Sequence, residues 1–482
     1  MSLNSCKLKE AQVLARKFVD FLNATGSPFH TVKQLSLYLT NHLPIKHLNE
    51  LRCVTEQFFS ENWKLENGQS YYVTNNNGTM MAFNIGKKFD PSKGGLILVC
   101  SHTDSPCLKL DFKCHVNNKG FNQLSVTTYG GGLWHTWMDR DLGLAGKVVV
   151  KSNDKLEEKL LHVQKPLILL PNLAIHLQNS TEREALKLNK DNHLKPLIST
   201  EVVHNLNSTQ TEPLLKLVSS YHSLVIHLYY IVNIITVIAI CFSELKCEVE
   251  DLVDFELCLM DSNPSCLSGV YEEFVSSGRL DNLGSCFGSI SAFTDFVLNQ
   301  GEDNDAVVVT VSYNYEEIGS SLSYGADSNM TFLWLEKLFG ALGCSLMETR
   351  DRALVVSADM THGVHPNYSE KHISTHSPAF HAGVVLKWNV NGRYATETHS
   401  SSLLRTAAAS AGVPLQEFRV GNETPCGSTV GPILGSRLCV PVADVGFPQL
   451  AMHSCREMCS TVDLLNFKLL LQVLLFYDFT VV

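Results

Sequence analysis

The chain has 482 residues, 45% of them hydrophobic, with 38 Lys plus Arg against 48 Asp plus Glu and a formal charge of −10. That length supplies core for two to three domains. The mild acidity, with no basic run, argues against nucleic acid as the main partner.

In chain order, the N-terminus lacks an apolar signal core. Val13, Leu14, Phe18, Phe21 and Leu22 fall instead at helical spacing, which predicts an amphipathic helix packed on a domain. Leu96 to Cys100 is a continuous apolar strand running into Ser101-His102-Thr103-Asp104. Beyond it the texture changes: Gly130-Gly131-Gly132, short β-like runs such as Lys147 to Val150, and a mixed-charge stretch near Glu157. This reads as a second domain over 109–256, inserted between the halves 1–108 and 257–482 of the first.

Within the insert, Leu224 to Phe242 is nearly all apolar, approaching the roughly 20 residues that span a bilayer. His227, Asn233 and Thr236 interrupt it, and no Lys or Arg cluster flanks it to set an orientation. A span there would put parts of one domain on opposite sides of a membrane. The expectation is an anomalous insertion near 229–243, carried by the second domain or translated from non-coding sequence.

Asp281 and Asn282 then stand at the start of an apolar stripe, Leu283, Cys286, Phe287, Ile290, Phe293 and Val297, in helix-cap position. Ala306 to Ser312 is a Val-rich strand ending at Asn314-Tyr315-Glu316-Glu317. Leu354 to Ser357 ends near Asp359, and Val440 to Val445 leads towards His453. Strands alternating with helices predict an α/β fold, a mixed sheet flanked by helices. Ligands in such sheets sit outside the carboxyl ends of the strands, where these polar residues recur. The fifteen cysteines form no paired CxxC pattern and read as thiols of a reducing, cytoplasmic compartment.

Zinc takes His nitrogen and carboxylate oxygen, and a two-metal hydrolase needs about five protein ligands, one of them bridging. His102, Asp281, Glu317, Asp359 and His453 offer that set. Each alone has an ordinary reading, as a satisfied histidine or a helix cap. Asp104, two residues from His102, is placed to accept from the ring's second nitrogen and fix its tautomer. In Glu316-Glu317 the side chains diverge, so one carboxylate can bind metal while the other acts as general base.

These residues lie in strings that resemble the aspartyl aminopeptidases, a branch of the binuclear zinc exopeptidases. The strings are SHTDSPCLK from Ser101, YGGGLWHTWMDRDLGLAG from Tyr129, RLDNL from Arg279, EEIGS from Glu316, SADMTHGVHPNY from Ser357, TPCGSTVGPIL from Thr424 and QLAMHSCREM from Gln449. The resemblance runs over nearly the whole chain. It implies a zinc-peptidase-like mixed sheet with an inserted β-rich dimerisation domain, two zinc ions per subunit, and release of N-terminal Asp or Glu from peptides. It places His102 and Asp359 on one zinc, Glu317 and His453 on the other, Asp281 between them, and Glu316 as general base with Asp104 orienting His102. It further implies that Lys387 faces the acidic side chain, and that His362, Gly427 and Ser428 bind substrate. His176, in PNLAIHLQ, would reach a neighbouring subunit's active site, within dimers that build a dodecamer.

Two features depart from the family pattern. Asn314, followed by Tyr315, stands where the family usually has Asp two residues before the general base, and the apolar insert is extra. The rival readings are another two-zinc hydrolase, such as a broad aminopeptidase or a deacylase, and an assembly protein that has lost its chemistry.

Overall fold

The computed structural model describes residues 4–48, 63–75, 77–152, 155–203, 251–299 and 304–476. The apolar run at 224–242, and the expected insertion near 229–243, lie outside the described residues. The chain divides into two compact units. One comprises residues 1–105, 265–452 and 457–482, and the other comprises 106–264 and 453–456.

In the first unit, nine strands form one mixed sheet. Their order is Lys46–Leu48, Ser70–Thr74, Met80–Ile85, Val307–Tyr313, Leu96–His102, Ala353–Ala358, Val442–Gly446, Val384–Lys387 and Leu415–Phe418. The four strands from Val307–Tyr313 to Val442–Gly446 run parallel. They are buried throughout, as parallel strands covered on both faces must be, which explains their unbroken apolar runs. Alternate side chains feed two cores: Ile97 and Val99 join one, while Leu96, Leu98 and Cys100 join the other.

Helices Ser5–Ala24, Pro28–His42, Leu280–Asn299 and Thr461–Leu475 build the first of these cores. The N-terminal helix is capped by Asn4, whose side chain accepts from Lys7 N at 2.9 Å. It buries Ala11, Leu14, Ala15, Phe18, Phe21 and Leu22, whereas Val13 is 61% exposed. The buried stripe follows the 11, 15, 18, 22 row, which turns Val13 outward. A five-stranded sheet, Cys266–Ser268, Phe274–Ser277, Glu457–Ser460, Pro448–Leu450 and Thr361–His362, completes the unit.

The second unit is a closed six-stranded barrel in the order Leu252–Asp261, Cys107–Asn118, Phe121–Tyr129, Leu197–Thr200, Lys155–Leu169, Asp141–Ser152. Leu142, Leu144, Val148, Val150, Leu161 and Val163 fill its interior, and closure removes the free strand edges. Among the described residues no single helix is long and apolar enough to cross a membrane. The described cysteines are free thiols, with Cys100, Cys107, Cys258, Cys286, Cys455 and Cys459 buried.

Candidate metal centre

The parallel register brings the site together. Tyr313 pairs with His102, and Ser357 with Cys100, so three strands end at one edge. His102 closes its strand at 2% exposure. Its Nε2 lies 3.2 Å from Asp281 Oδ1, 3.5 Å from Asp359 Oδ1 and 3.7 Å from Glu316 Oε2. Within the first unit, two groups converge closely enough to share a metal ion: His102 with Asp281 and Asp359, and His102 with Glu316 and Glu317.

The backbone that carries Asp281 is fixed from several sides. Asp281 and Asn282 have non-helical dihedrals inside the Leu280–Asn299 helix, so this carboxylate does not follow the helical ladder. The Asp281 carbonyl accepts from Ser105 Oγ at 2.5 Å, and its N–H donates to Glu457 Oε2 at 3.2 Å. Asn282 donates from Nδ2 to the Ala358 carbonyl at 2.8 Å, tying this turn to the residue before Asp359.

Asp104 meets His102 as the spacing suggests, and it also does more. The backbone carbonyl of Asp104 lies 3.0 Å from His102 Nδ1, while its carboxylate Oδ1 is 3.6 Å away. A proton on Nδ1 donating to that carbonyl leaves the lone pair on Nε2, facing the carboxylates. The carboxylate itself accepts from Glu316 N and Glu317 N, each at 3.1 Å. It therefore holds the turn from which both glutamates project. That turn is entered through Tyr315, whose φ of 73° lies in the left-handed region, with its carbonyl accepting from Ser320 N at 2.8 Å.

The electrostatics follow from this crowding. Burial pulls the His102 pKa down most strongly, but the charges of Glu316, Asp104, Asp281 and Asp359 outweigh it and hold the imidazole well above its ordinary value. Glu316 is raised well above the carboxylate range, first by burial and then by Asp359, Glu317 and Asp104, against the opposing charge of His102. Asp359 Oδ1 is buried and has no hydrogen-bond donor among the described residues.

Beside the cluster, Lys387 is 2% exposed. Its ammonium donates to Asp359 Oδ2 at 3.2 Å and to the Met360 carbonyl at 2.8 Å, and sits 5.4 Å from the centre of the Tyr394 ring. His362 ends the Thr361–His362 strand, and burial, His372 and Lys387 push its pKa down to about 4. Gly427 and Ser428 lie on an exposed loop, where Ser428 Oγ donates to the Arg393 carbonyl at 3.2 Å.

Two of the expected residues belong to the second unit. His453 has a φ of 66°, and its Nδ1 lies 3.0 Å from the Gly131 carbonyl. Donation there puts its lone pair on Nε2. His176 is exposed on the Ile175–Leu177 turn, beside Leu173, Ile175 and Leu177, themselves 51%, 59% and 72% exposed.

The family profile described as Aminopeptidase I zinc metalloprotease (M18) matches residues 21–477. The chain belongs to the M18 family of zinc metallopeptidases. An aspartyl aminopeptidase of Caenorhabditis elegans is 38% identical over 454 residues, covering 94% of this chain and 93% of that one. The cryo-EM structure of the Ape4 and Nbr1 complex is similar at a TM-score of 0.88 and 35% identity, covering 98% of this chain and 87% of that one. The S. cerevisiae mApe1 dodecamer structure shares the fold, with a TM-score of 0.76 at 23% identity over 98% of both chains.

As an M18 member the chain is a zinc-dependent aminopeptidase, and its residues fit the metal. Three carboxylates face one imidazole nitrogen, and the cluster draws a proton onto a buried ring. The Lys387 ammonium meets only the Asp359 edge of this cluster, and a divalent cation supplies further positive charge at its centre. Imidazole plus carboxylate is a donor set suited to zinc. Reasoning on single residues saw Asn282 only as a helix cap and passed over Glu457 and His372. The first two lie inside the quoted strings RLDNL and QLAMHSCREM, so the signal for them was present but carried no spacing rule.

Proposed function

We propose that this M18 enzyme releases N-terminal Asp or Glu from peptides. The observation that carries the reading is Lys387, an ammonium at 2% exposure held against Asp359 at the edge of the carboxylate cluster. A cation fixed there gives an acidic side chain a charge-assisted contact that a neutral side chain cannot make. The name of the nematode relative supports the same substrate class.

His102 and Asp359 would hold one zinc, Glu317 and His453 the other, and Asp281 would bridge. Zinc, when bound, supplies a Lewis acid that polarises the scissile carbonyl and acidifies water. Glu316 accepts a proton from the attacking water and returns it to the leaving nitrogen as the C–N bond breaks. Asp104 keeps the Glu316-Glu317 turn in place through both backbone N–H groups. His362, Gly427 and Ser428 contact the substrate.

The barrel serves as a dimerisation domain, with boundaries close to 109–256, and dimers build a dodecamer in which His176 enters a neighbour's site. The exposed apolar turn around His176 supports this, because such a surface gains by being covered. The buried free thiols suit a cytoplasmic location.

Purified enzyme, assayed on peptides with N-terminal Asp, N-terminal Leu and an acylated N-terminus, tests the reading against a broad aminopeptidase, a deacylase and an inactive assembly protein. Asp peptides are expected to be preferred, and Lys387→Met to lower kcat/KM for them at least tenfold more than for Leu peptides, as loss of a charge-assisted contact worth about 1.5–3 kcal/mol. Zinc content is measured alongside. Equal losses on Asp and Leu would remove Lys387 from the selection, and a zinc-loaded enzyme indifferent to acidic N-termini would sink the reading.

A further inference from the structure

Beside Lys387 the first unit holds a histidine pair that the metal chemistry does not use. His362 Nδ1 lies 3.2 Å from His372 Nε2. Phe418 meets His362 edge-on at a centroid distance of 4.6 Å and His372 at 6.2 Å. At such a separation one nitrogen donates and the other accepts, and the choice fixes what each ring presents on its other side.

The structure makes that choice through His372. Its Nδ1 is buried and has no hydrogen-bond partner among the described residues. A proton on that nitrogen would be a buried donor without an acceptor, the kind of orphan folded proteins rarely keep. The His372 proton therefore sits on Nε2 and donates to His362 Nδ1. His362 is held neutral by its burial and by His372 and Lys387, so its single proton is on Nε2. No described residue bonds that nitrogen.

We propose that His372 is a positioning residue for substrate selection: by donating to His362 Nδ1 it makes His362 a second donor, beside Lys387, for the acidic side chain of the substrate. In the opposite tautomer His362 would present a lone pair, which repels a carboxylate. Lys387 thus supplies charge, and the histidine pair supplies a directed N–H that a neutral aliphatic side chain cannot use. The inference rests on the acidic-residue reading given above.

Two variants matched in length separate donor from filler. His372→Met removes the donor, and His372→Gln keeps an amide N–H at a similar reach. His372→Met is expected to lower kcat/KM for N-terminal Asp peptides about tenfold, through KM more than kcat, with Leu peptides changed less than about twofold. His372→Gln is expected to recover most of the loss, with zinc content equal in both. Equal losses on Asp and Leu, no loss on either, or a glutamine variant no better than methionine would each overturn the role of His372. Selective loss in Lys387→Met without any in His372→Met leaves the acidic-residue reading standing and removes only this inference. A wild type without acidic preference removes both.

Discussion

Two sets of buried carboxylates in the first unit behave in opposite ways. Asp444 and Asp463 are both 0% exposed, yet their oxygens meet donors. Asp444 accepts from Thr429 Oγ1 and Ala395 N, each at 2.5 Å, and Asp463 accepts from His381 N at 2.6 Å and Gly383 N at 2.9 Å. They pin chain: Asp444 the end of the Gly427-Ser428 loop, Asp463 the lead-in to the strand carrying Lys387. Around His102, by contrast, Asp281, Asp359 and Glu316 face one another across a single imidazole nitrogen. Charge alone does not distinguish these sets, although Asp359 and Glu316 are less deeply buried than Asp444 and Asp463. Crowding does: the cluster's carboxylates share one imidazole and, at Asp359, the Lys387 ammonium, and charge so incompletely compensated is tolerated where a ligand completes it.

The comparison breaks most visibly at Glu316. If this carboxylate works as a base and the others as ligands, Glu316→Gln keeps zinc bound while kcat falls by about 10²–10⁴-fold, the usual contribution of general acid–base catalysis. Turnover and metal analysis on the same preparation check this. A glutamine variant with zinc bound and near-normal kcat would move the base elsewhere, and one that loses zinc would place Glu316 among the ligands.

Asp463 tests the compensated set through pH. Burial raises its pKa to about 6 despite the two backbone donors, whereas the unfolded chain titrates near the ordinary aspartate value of about 3.9. Below that value both states are protonated and the group costs nothing. Between about pH 4 and 6 the unfolded state ionises first, so Asp463 subtracts stability as pH rises, reaching about 3 kcal/mol above pH 6. The difference in thermal midpoint between Asp463→Asn and wild type should therefore shift in favour of the variant from pH 4 to pH 7. A difference independent of pH would show that Asp463 titrates normally in the folded state.

Much of this architecture was legible in the chain. The Leu96–His102, Val307–Tyr313 and Ala353–Ala358 strands announce themselves because strands buried on both faces leave no polar alternation. The first ends at His102, and the other two run out shortly before Glu316 and Asp359. What periodicity could not give is the use made of side chains across long separations. The Asp104 carboxylate reaches backbone more than 200 residues away, a contact that its spacing from His102 could not show. His372 stands on an irregular loop with no period to flag it. The second domain was legible as an insertion with short β-like runs, but not its closure into a six-stranded barrel, since the pairing joins strands as far apart as Leu252–Asp261 and Cys107–Asn118.

Asn314 sharpens the comparison with the smallest expected effect. It is 1% exposed and uses both ends of its amide. Nδ2 donates to the Asn77 carbonyl at 2.6 Å, and Oδ1 accepts from Tyr315 N at 2.9 Å. Gly78 lies against it, where an added Cβ would come within 2.9 Å of Nδ2, so the amide cannot swing aside on that flank. Asn314→Asp restores the residue type usual in the resembling family but turns one carboxylate oxygen towards a carbonyl. The Tyr315 N–H stays satisfied, and the left-handed turn leading to Glu316 keeps its anchor on that side. One lost hydrogen bond and one buried acceptor facing another cost about 1–3 kcal/mol of stability. The base and ligands are untouched, so kcat should change no more than about fivefold, with zinc content unchanged. A lower thermal midpoint with near-normal turnover is the expected result. A loss of turnover as deep as that of Glu316→Gln would instead put position 314 in the proton path, and the distinction between compensated and uncompensated polar groups would then fail at the residue that leads into the site.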